Sequence, residues 1–229
     1  MRRAAIVTPL RTPVGTFGGS LRPVSVEELA ATTVRAVVQK SGIDPTRIDD
    51  VVFAQSYASS ETPCVGRWAA LQAGLPVSVP GMQLDRRCGG GLQAIVTAAM
   101  MVQSGAADVV IAGGVESMSN IEYYSTDMRW GARSGNVRMY DRLDRGRERS
   151  QPVERFGKIS GMIETAENLA RDYGTTRPAA IRLNYGMQRV RGGGNAATGR
   201  DAADDEPLIS GVSEIRSRPQ VGGLGMVDY

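Results

Sequence analysis

The sequence predicts an α/β fold: a mixed, mainly parallel sheet covered by helices, broken late in the chain by a long excursion. Three observations carry this expectation. From Ala4 to Gly114, short apolar runs alternate with stretches of helical periodicity. The runs are apolar at consecutive positions, as in strands buried on both faces. From Asn120 to Gly157 the periodic apolar residues thin out, and charges and aromatics replace them.

Taken in order, Ala4-Ala5-Ile6-Val7-Thr8 reads as a short buried strand, followed by a glycine-rich loop from Arg11 to Leu21. Ser25, with Glu28 three residues on, has the form of a capping box. The helix behind it carries Leu29, Val34, Val37 and Val38 and stops at Ser41-Gly42. Val51-Val52-Phe53-Ala54 is a second strand. Thr62-Pro63 opens a helix bearing Val65, Trp68, Ala69 and Leu71, with proline in its first turn. Val79 to Leu84 is a third strand, Gly89 to Ser104 a third helix, and Asp108 to Gly114 the clearest strand of all. Ile159 to Asp172 is helical again, with Met162, Ala166 and Leu169 along one side. Beyond Arg177 there is no convincing periodicity, only a glycine- and arginine-rich stretch and an acidic run from Asp201 to Glu206.

Composition narrows the chemistry. The chain has 229 residues, is 41% hydrophobic and 22% charged, and carries a net charge of +3, ordinary for a globular protein. The basic excess is too small and diffuse to argue for nucleic acid. No apolar run is long enough to cross a membrane as a helix. Arg2-Arg3 reads as the mouth of a strand rather than as a leader, and the expected setting is cytoplasmic. Histidine is absent, which removes the commonest general base near neutral pH and any Cys-His or Ser-His-Asp arrangement. Two distant cysteines, Cys64 and Cys88, make no disulfide framework and no metal site.

Cys88 stands out. It follows an extended run, precedes Gly89-Gly90-Gly91, and sits where a helix begins. The N–H groups and positive dipole end of such a helix favour an anion, and a thiolate is the reactive form of cysteine. The competing reading is a small buried hydrophobe, the usual fate of a free cysteine.

Five segments in order resemble the thiolase family, the acetyl-CoA acetyltransferases and 3-ketoacyl-CoA thiolases, over about residues 4–177. They are Arg11 to Leu21, Arg67 to Pro76, Cys88-Gly89-Gly90-Gly91-Leu92-Gln93-Ala94, Ala112 to Ser119, and Met162 to Asn168. The resemblance implies that Cys88 is the nucleophile that takes an acyl group from acyl-CoA as a thioester. It also implies that the N–H of Cys88 serves an oxyanion hole, and that Gly90 and Met162 lie near the acyl pocket. Coenzyme A enters as substrate, not as a resident cofactor. No CoA-binding residue is assigned individually, although the basic residues from Arg129 to Arg155 are suited to phosphates. Residues 1–118 would form the thiolase-like N-terminal core, 119–160 the loop-domain excursion, 161–177 a returning helix and 178–229 an atypical, disordered-type tail.

Departures qualify the expected activity. Gly90 stands where the family usually has serine. The second half of the family fold, with its Asn-x-His, Gly-His-Pro and Cys-x-Gly motifs, is missing, and the pattern recedes abruptly after Arg177, as a frameshift or premature stop would leave it. The expectation is a truncated thiolase-like acyltransferase that is not competent alone. The alternative is a non-catalytic module that binds CoA esters, or that pairs with itself or with an intact thiolase through residues 82–87, placing Arg86 and Arg87 at the contact. A ketosynthase, which shares the fold and nucleophile position, is disfavoured by segments 11–21 and 162–168.

Overall fold

The computed structural model describes residues 2–159 and 161–174. The last residues of the expected returning helix and the whole tail at 178–229 lie outside the described residues. The chain divides into two compact units, one reaching Asn120 and the other starting at Ile121.

The first unit is a three-stranded parallel sheet with helices on both faces. Its strands are β1 (Asp50–Ala54), β2 (Gly81–Leu84) and β3 (Val110–Gly114), in the order β2-β1-β3. Val52 lies opposite Met82 on one side and Ala112 on the other. Helix α1 (Val26–Ser41) is capped by Ser25, whose Oγ accepts the Glu28 N–H at 3.3 Å, and it ends at Gly42 with φ 66°. Helix α2 spans Val65–Gln72 and α3 spans Gly90–Ser104.

Alternation along the strands divides the core. Val51, Phe53 and Ile111 pack with Leu29, Ala30 and Val34 of α1 and with Val65, Ala69 and Ala70 of α2. Val52, Val110 and Ala112 face the other way, onto Ala94 and Ala98 of α3. These two periods, two along strands and 3.6 along helices, are what the sequence pattern anticipates.

Two expectations are corrected. The predicted strand at Ala4–Thr8 does not form: its residues alternate between half-buried and exposed, and it pairs with no strand among the described residues. Thr8 adopts φ 54°, which a strand cannot continue through, while Arg2 pairs with Asp108 beside the start of β3. A short apolar run specifies a strand only where a neighbour supplies the ladder. The second helix begins at Val65 rather than in the predicted first turn around Pro63. Cys64 provides no side-chain cap, and the Val65 N–H is taken instead by Gln83 Oε1 of β2, at 2.8 Å.

The second unit contains a two-residue antiparallel ladder, β4 (Tyr123–Tyr124) with β5 (Tyr140–Asp141), then α4 (Arg142–Arg149), α5 (Val153–Phe156) and α6 (Met162–Tyr173). Asp141 caps α4 by accepting the Leu143 N–H at 2.9 Å. Here ion pairs stand in for a buried core: among the described residues no residue of this unit is fully buried. None of the described helices is long and apolar enough to cross a membrane.

Two features make stability predictions. The backbones of α2 and β2 nearly touch: a Cβ on Gly66 would lie 2.4 Å from the Met82 carbonyl oxygen and 2.8 Å from that of Val51. Gly66→Ala should therefore destabilise by about 1–3 kcal/mol through overpacking, outweighing the helix-propensity gain of about 1 kcal/mol. Thermal unfolding of the variant measures the sign. Asp49 joins the entry of β1 to that of β3, accepting the N–H groups of Asp108 at 2.7 Å and Val109 at 2.9 Å. Those bonds hold its carboxyl below the ordinary value of 3.8. The contribution is then fully present above the unfolded value and is lost as pH falls through the lower folded value. Asp49→Asn should flatten the acid limb of stability below about pH 4, read by denaturant titration across pH.

Candidate active site

The site is built where the carboxyl ends of the three parallel strands meet the amino end of α3, the usual place for chemistry in open α/β sheets. Strand β2 ends at Leu84, and Arg87–Gly89 form one 3-10 turn before α3 begins. Arg87 has φ 48°, a left-handed conformation that costs a non-glycine residue about 1–2 kcal/mol. Three contacts hold it there. Its N–H donates to Asp85 Oδ1 at 2.7 Å, its guanidinium lies 3.5 Å from Asp85 Oδ2, and its Nη1 donates to the Ser56 carbonyl at 2.7 Å. The guanidinium also sits over the Tyr57 ring, 5.6 Å from its centroid.

Cys88 is the next residue, and it is exposed. The buried-hydrophobe reading of this thiol is therefore excluded. Cys64, by contrast, is half-buried and donates its S–H to the Gly81 carbonyl at 3.4 Å. Gly89 precedes α3 without a side-chain cap, so the N-cap residue itself places no side chain at the helix end beside the thiol.

Gly90 is buried, and a Cβ placed there would lie 2.8 Å from the Ala54 Cβ. The missing side chain lets the first turn of α3 close onto the end of β1 and brings Cys88 to the sheet's rim. Cys88 and Gly90 are thus brought together by one turn. Met162 belongs to the second unit, at the start of α6, where it is 81% exposed.

Sequence reasoning left two participants without a role. One is Arg87, which the sequence places only at a contact between chains. The other is Glu116, just past β3, whose Oε2 accepts the N–H groups of Ser56 at 2.8 Å and Tyr57 at 3.1 Å. A carboxylate directly after a wholly apolar strand is the signal that could have marked it. The opening glycine-rich loop also reaches the segment that follows β3: Gly18 N–H donates to Ser119 Oγ at 2.8 Å, and Asn120 Nδ2 donates to the carbonyls of Arg22 and Val24. Two of the five sequence segments, 11–21 and 112–119, are therefore stitched together in space.

In the second unit much of the basic charge is engaged internally. Arg142 pairs with Glu122 at 3.1 Å, Arg145 with Glu148, and Arg147 with both Asp144 and Glu164. Arg147 holds the Asp144 carboxyl below its ordinary range, and Arg145, with Lys158, does the same to Glu148.

The first unit is thus a parallel α/β sheet with an exposed cysteine at a strand-to-helix turn. The thiolase N-terminal domain family matches residues 4–182, and the chain belongs to the thiolase family. The acetyl-CoA acetyltransferase of Cupriavidus necator is 34% identical over 191 residues, covering 82% of this chain and 47% of that protein. The beta-ketoadipyl-CoA thiolase of Pseudomonas knackmussii is 36% identical over 212 residues, covering 91% of this chain and 52% of its own length. The crystal structure of the Bacillus anthracis acetyl-CoA acetyltransferase superposes with a TM-score of 0.70 at 35% identity, covering 82% of this chain and 47% of that one. The chain spans about half the length of these relatives. Likeness to the family also runs beyond Arg177, where the sequence pattern recedes.

Proposed function

We propose that this chain carries the acyl-accepting half of a thiolase-type acyltransferase site, with Cys88 as nucleophile and an acyl-CoA thioester as donor. The observation that carries the reading is an exposed thiol at the uncapped amino end of α3. In the reaction the Cys88 sulfur attacks the thioester carbonyl carbon. The bond from that carbon to the CoA sulfur breaks, the acyl group stays on Cys88, and the thiol proton ends on released CoA. The N–H groups at the start of α3 are suited to the negative charge that builds on the carbonyl oxygen. Gly90 shapes the turn that presents Cys88 by packing against Ala54, and Met162 is proposed for the acyl side on the family resemblance alone. Residues 119–160 supply the CoA-facing excursion, and the basic residues from Arg129 to Arg155 are its phosphate candidates, with Arg142, Arg145 and Arg147 first needing to leave their ion pairs. Two free thiols fit a cytoplasmic setting.

With no histidine in the 229 residues, the chain has no imidazole to act as base. A missing general base costs about 10²–10⁴ in rate, so acylation of Cys88 is slow and transfer of the acyl group onward is slower still, with the chain by itself held at the acyl-cysteine. Incubated with acetyl-CoA, it should gain a single acetyl group by intact mass, a gain lost in Cys88→Ser and kept in Cys64→Ser. Given acetoacetyl-CoA and CoA, it should make no appreciable acetyl-CoA. Sustained Cys88-dependent turnover would overturn the claim of incompetence, and no acetylation at all would overturn the acyl-acceptor assignment.

A second reading, a module that pairs with another copy or with an intact thiolase, has support of its own. Among the described residues, β2 is an edge strand of its sheet. On α3, Leu92, Val96 and Met100, one helical turn apart, are 65%, 41% and 58% exposed, and residues 88–107 contain no charge. Helices apolar all round are normally buried. Size-exclusion chromatography with and without an intact thiolase separates this reading from the first.

A further inference from the structure

One peptide group near the site is held from both ends by opposite charges. The peptide joining Ser56 to Tyr57 has its carbonyl oxygen on the Arg87 guanidinium at 2.7 Å and its N–H on the Glu116 carboxylate at 3.1 Å. The same carboxylate oxygen takes the Ser56 N–H at 2.8 Å. The cation sits at the negative end of the peptide dipole and the anion at the positive end. Each bond polarises the other, and bonds to ionised groups are the stronger kind. Gln55 closes the arrangement from the strand side: its backbone N–H donates to the Leu84 carbonyl at 3.0 Å, and its Nε2 donates to the Tyr57 carbonyl at 3.1 Å.

Arg87 is the residue before Cys88 and has the left-handed φ that turns the chain from β2 into α3. A strained residue persists only where its surroundings over-determine it. Its own neighbour Asp85 supplies local bonds. The bond to Ser56 is the non-local one, spanning 31 positions, and Glu116 reaches the same loop from 60 positions away. The ends of all three strands are therefore tied through a single peptide.

We propose that Glu116 is a positioning residue for Cys88, acting through the Ser56–Tyr57 peptide and Arg87 to hold the turn that presents the thiol. Its purpose rests on the acyl-cysteine reading, but the coupling itself can be measured without substrate. The test is amide hydrogen exchange on the full, isotope-labelled chain. Glu116→Gln keeps the shape and removes the charge. It should speed exchange about three- to tenfold at Tyr57, its direct partner. It should do the same at Arg87, Gly89 and Gly90, whose N–H groups bond within the turn on either side of Cys88. Arg87→Met, from the other end, should speed exchange at Tyr57, and Arg87→Lys should restore part of the protection. Amides in the middle of α1 should not change in any variant. Faster exchange at Tyr57 with Arg87, Gly89 and Gly90 unchanged would overturn the coupling. Acceleration spread evenly into α1 would also overturn it, by assigning Glu116 to the core at large. Acetylation of Cys88 is scored separately, so failure of the acyl-acceptor reading and failure of the coupling are distinct results.

Discussion

Strand β1 is the constraint from which the rest of the first unit follows. It lies between β2 and β3, so its backbone is bonded on both edges and its side chains must satisfy two faces at once. Val51 and Phe53 seal one face beneath α1 and α2, and Val52 seals the other beneath α3. A one-residue slip would exchange the two sets, turning Phe53 toward the alanines of α3 and Val52 toward α1 and α2. The register in turn determines where β1 ends. Ala54 lies against Gly90, and residues 55–57 emerge where both Arg87 and Glu116 reach them.

The site thus inherits its precision from the sheet. Cys88 lies on a turn, and turns are mobile unless something beyond their own residues anchors them. Here the anchors come from the ends of β1 and β3, and they act through charge-assisted bonds on backbone groups rather than through packing. Packing could not do this work at the rim, where Cys88 and Arg87 face solvent. Gly90 acts in the opposite sense, by absence, since a Cβ there would come within 2.8 Å of the Ala54 Cβ and one of the two would have to give way.

The two units show how differently a sequence pattern can be legible. In the first, α1, β1, α3 and β3 could be read nearly to their ends because burial imposes periodicity: Ser25 and Gly42 bracket α1, and the apolar run of β3 needs both faces covered. The failures came where a partner decides. Ala4–Thr8 is as apolar as a strand but pairs with none among the described residues, and α2 starts at Val65 because Gln83, eighteen residues on, caps it in place of a local side chain. In the second unit, short elements held by arginine–carboxylate pairs leave no periodic trace, so β4, β5 and α4 could not be read from the pattern at all.

The sequence by itself determined the fold class, the family likeness, the identity of Cys88 as the candidate nucleophile and the absence of any histidine to serve it. Those are properties of residue type and local spacing, which a chain carries whether folded or not. Only the tertiary structure decided that Cys88 is exposed rather than buried, that Gly90 is a closely packed contact, and that Arg87 and Glu116 share one peptide between them. Residues 56, 87 and 116 have no relation along the chain. They meet because three parallel strands end together, and neither strand order nor register is written in any single stretch of sequence.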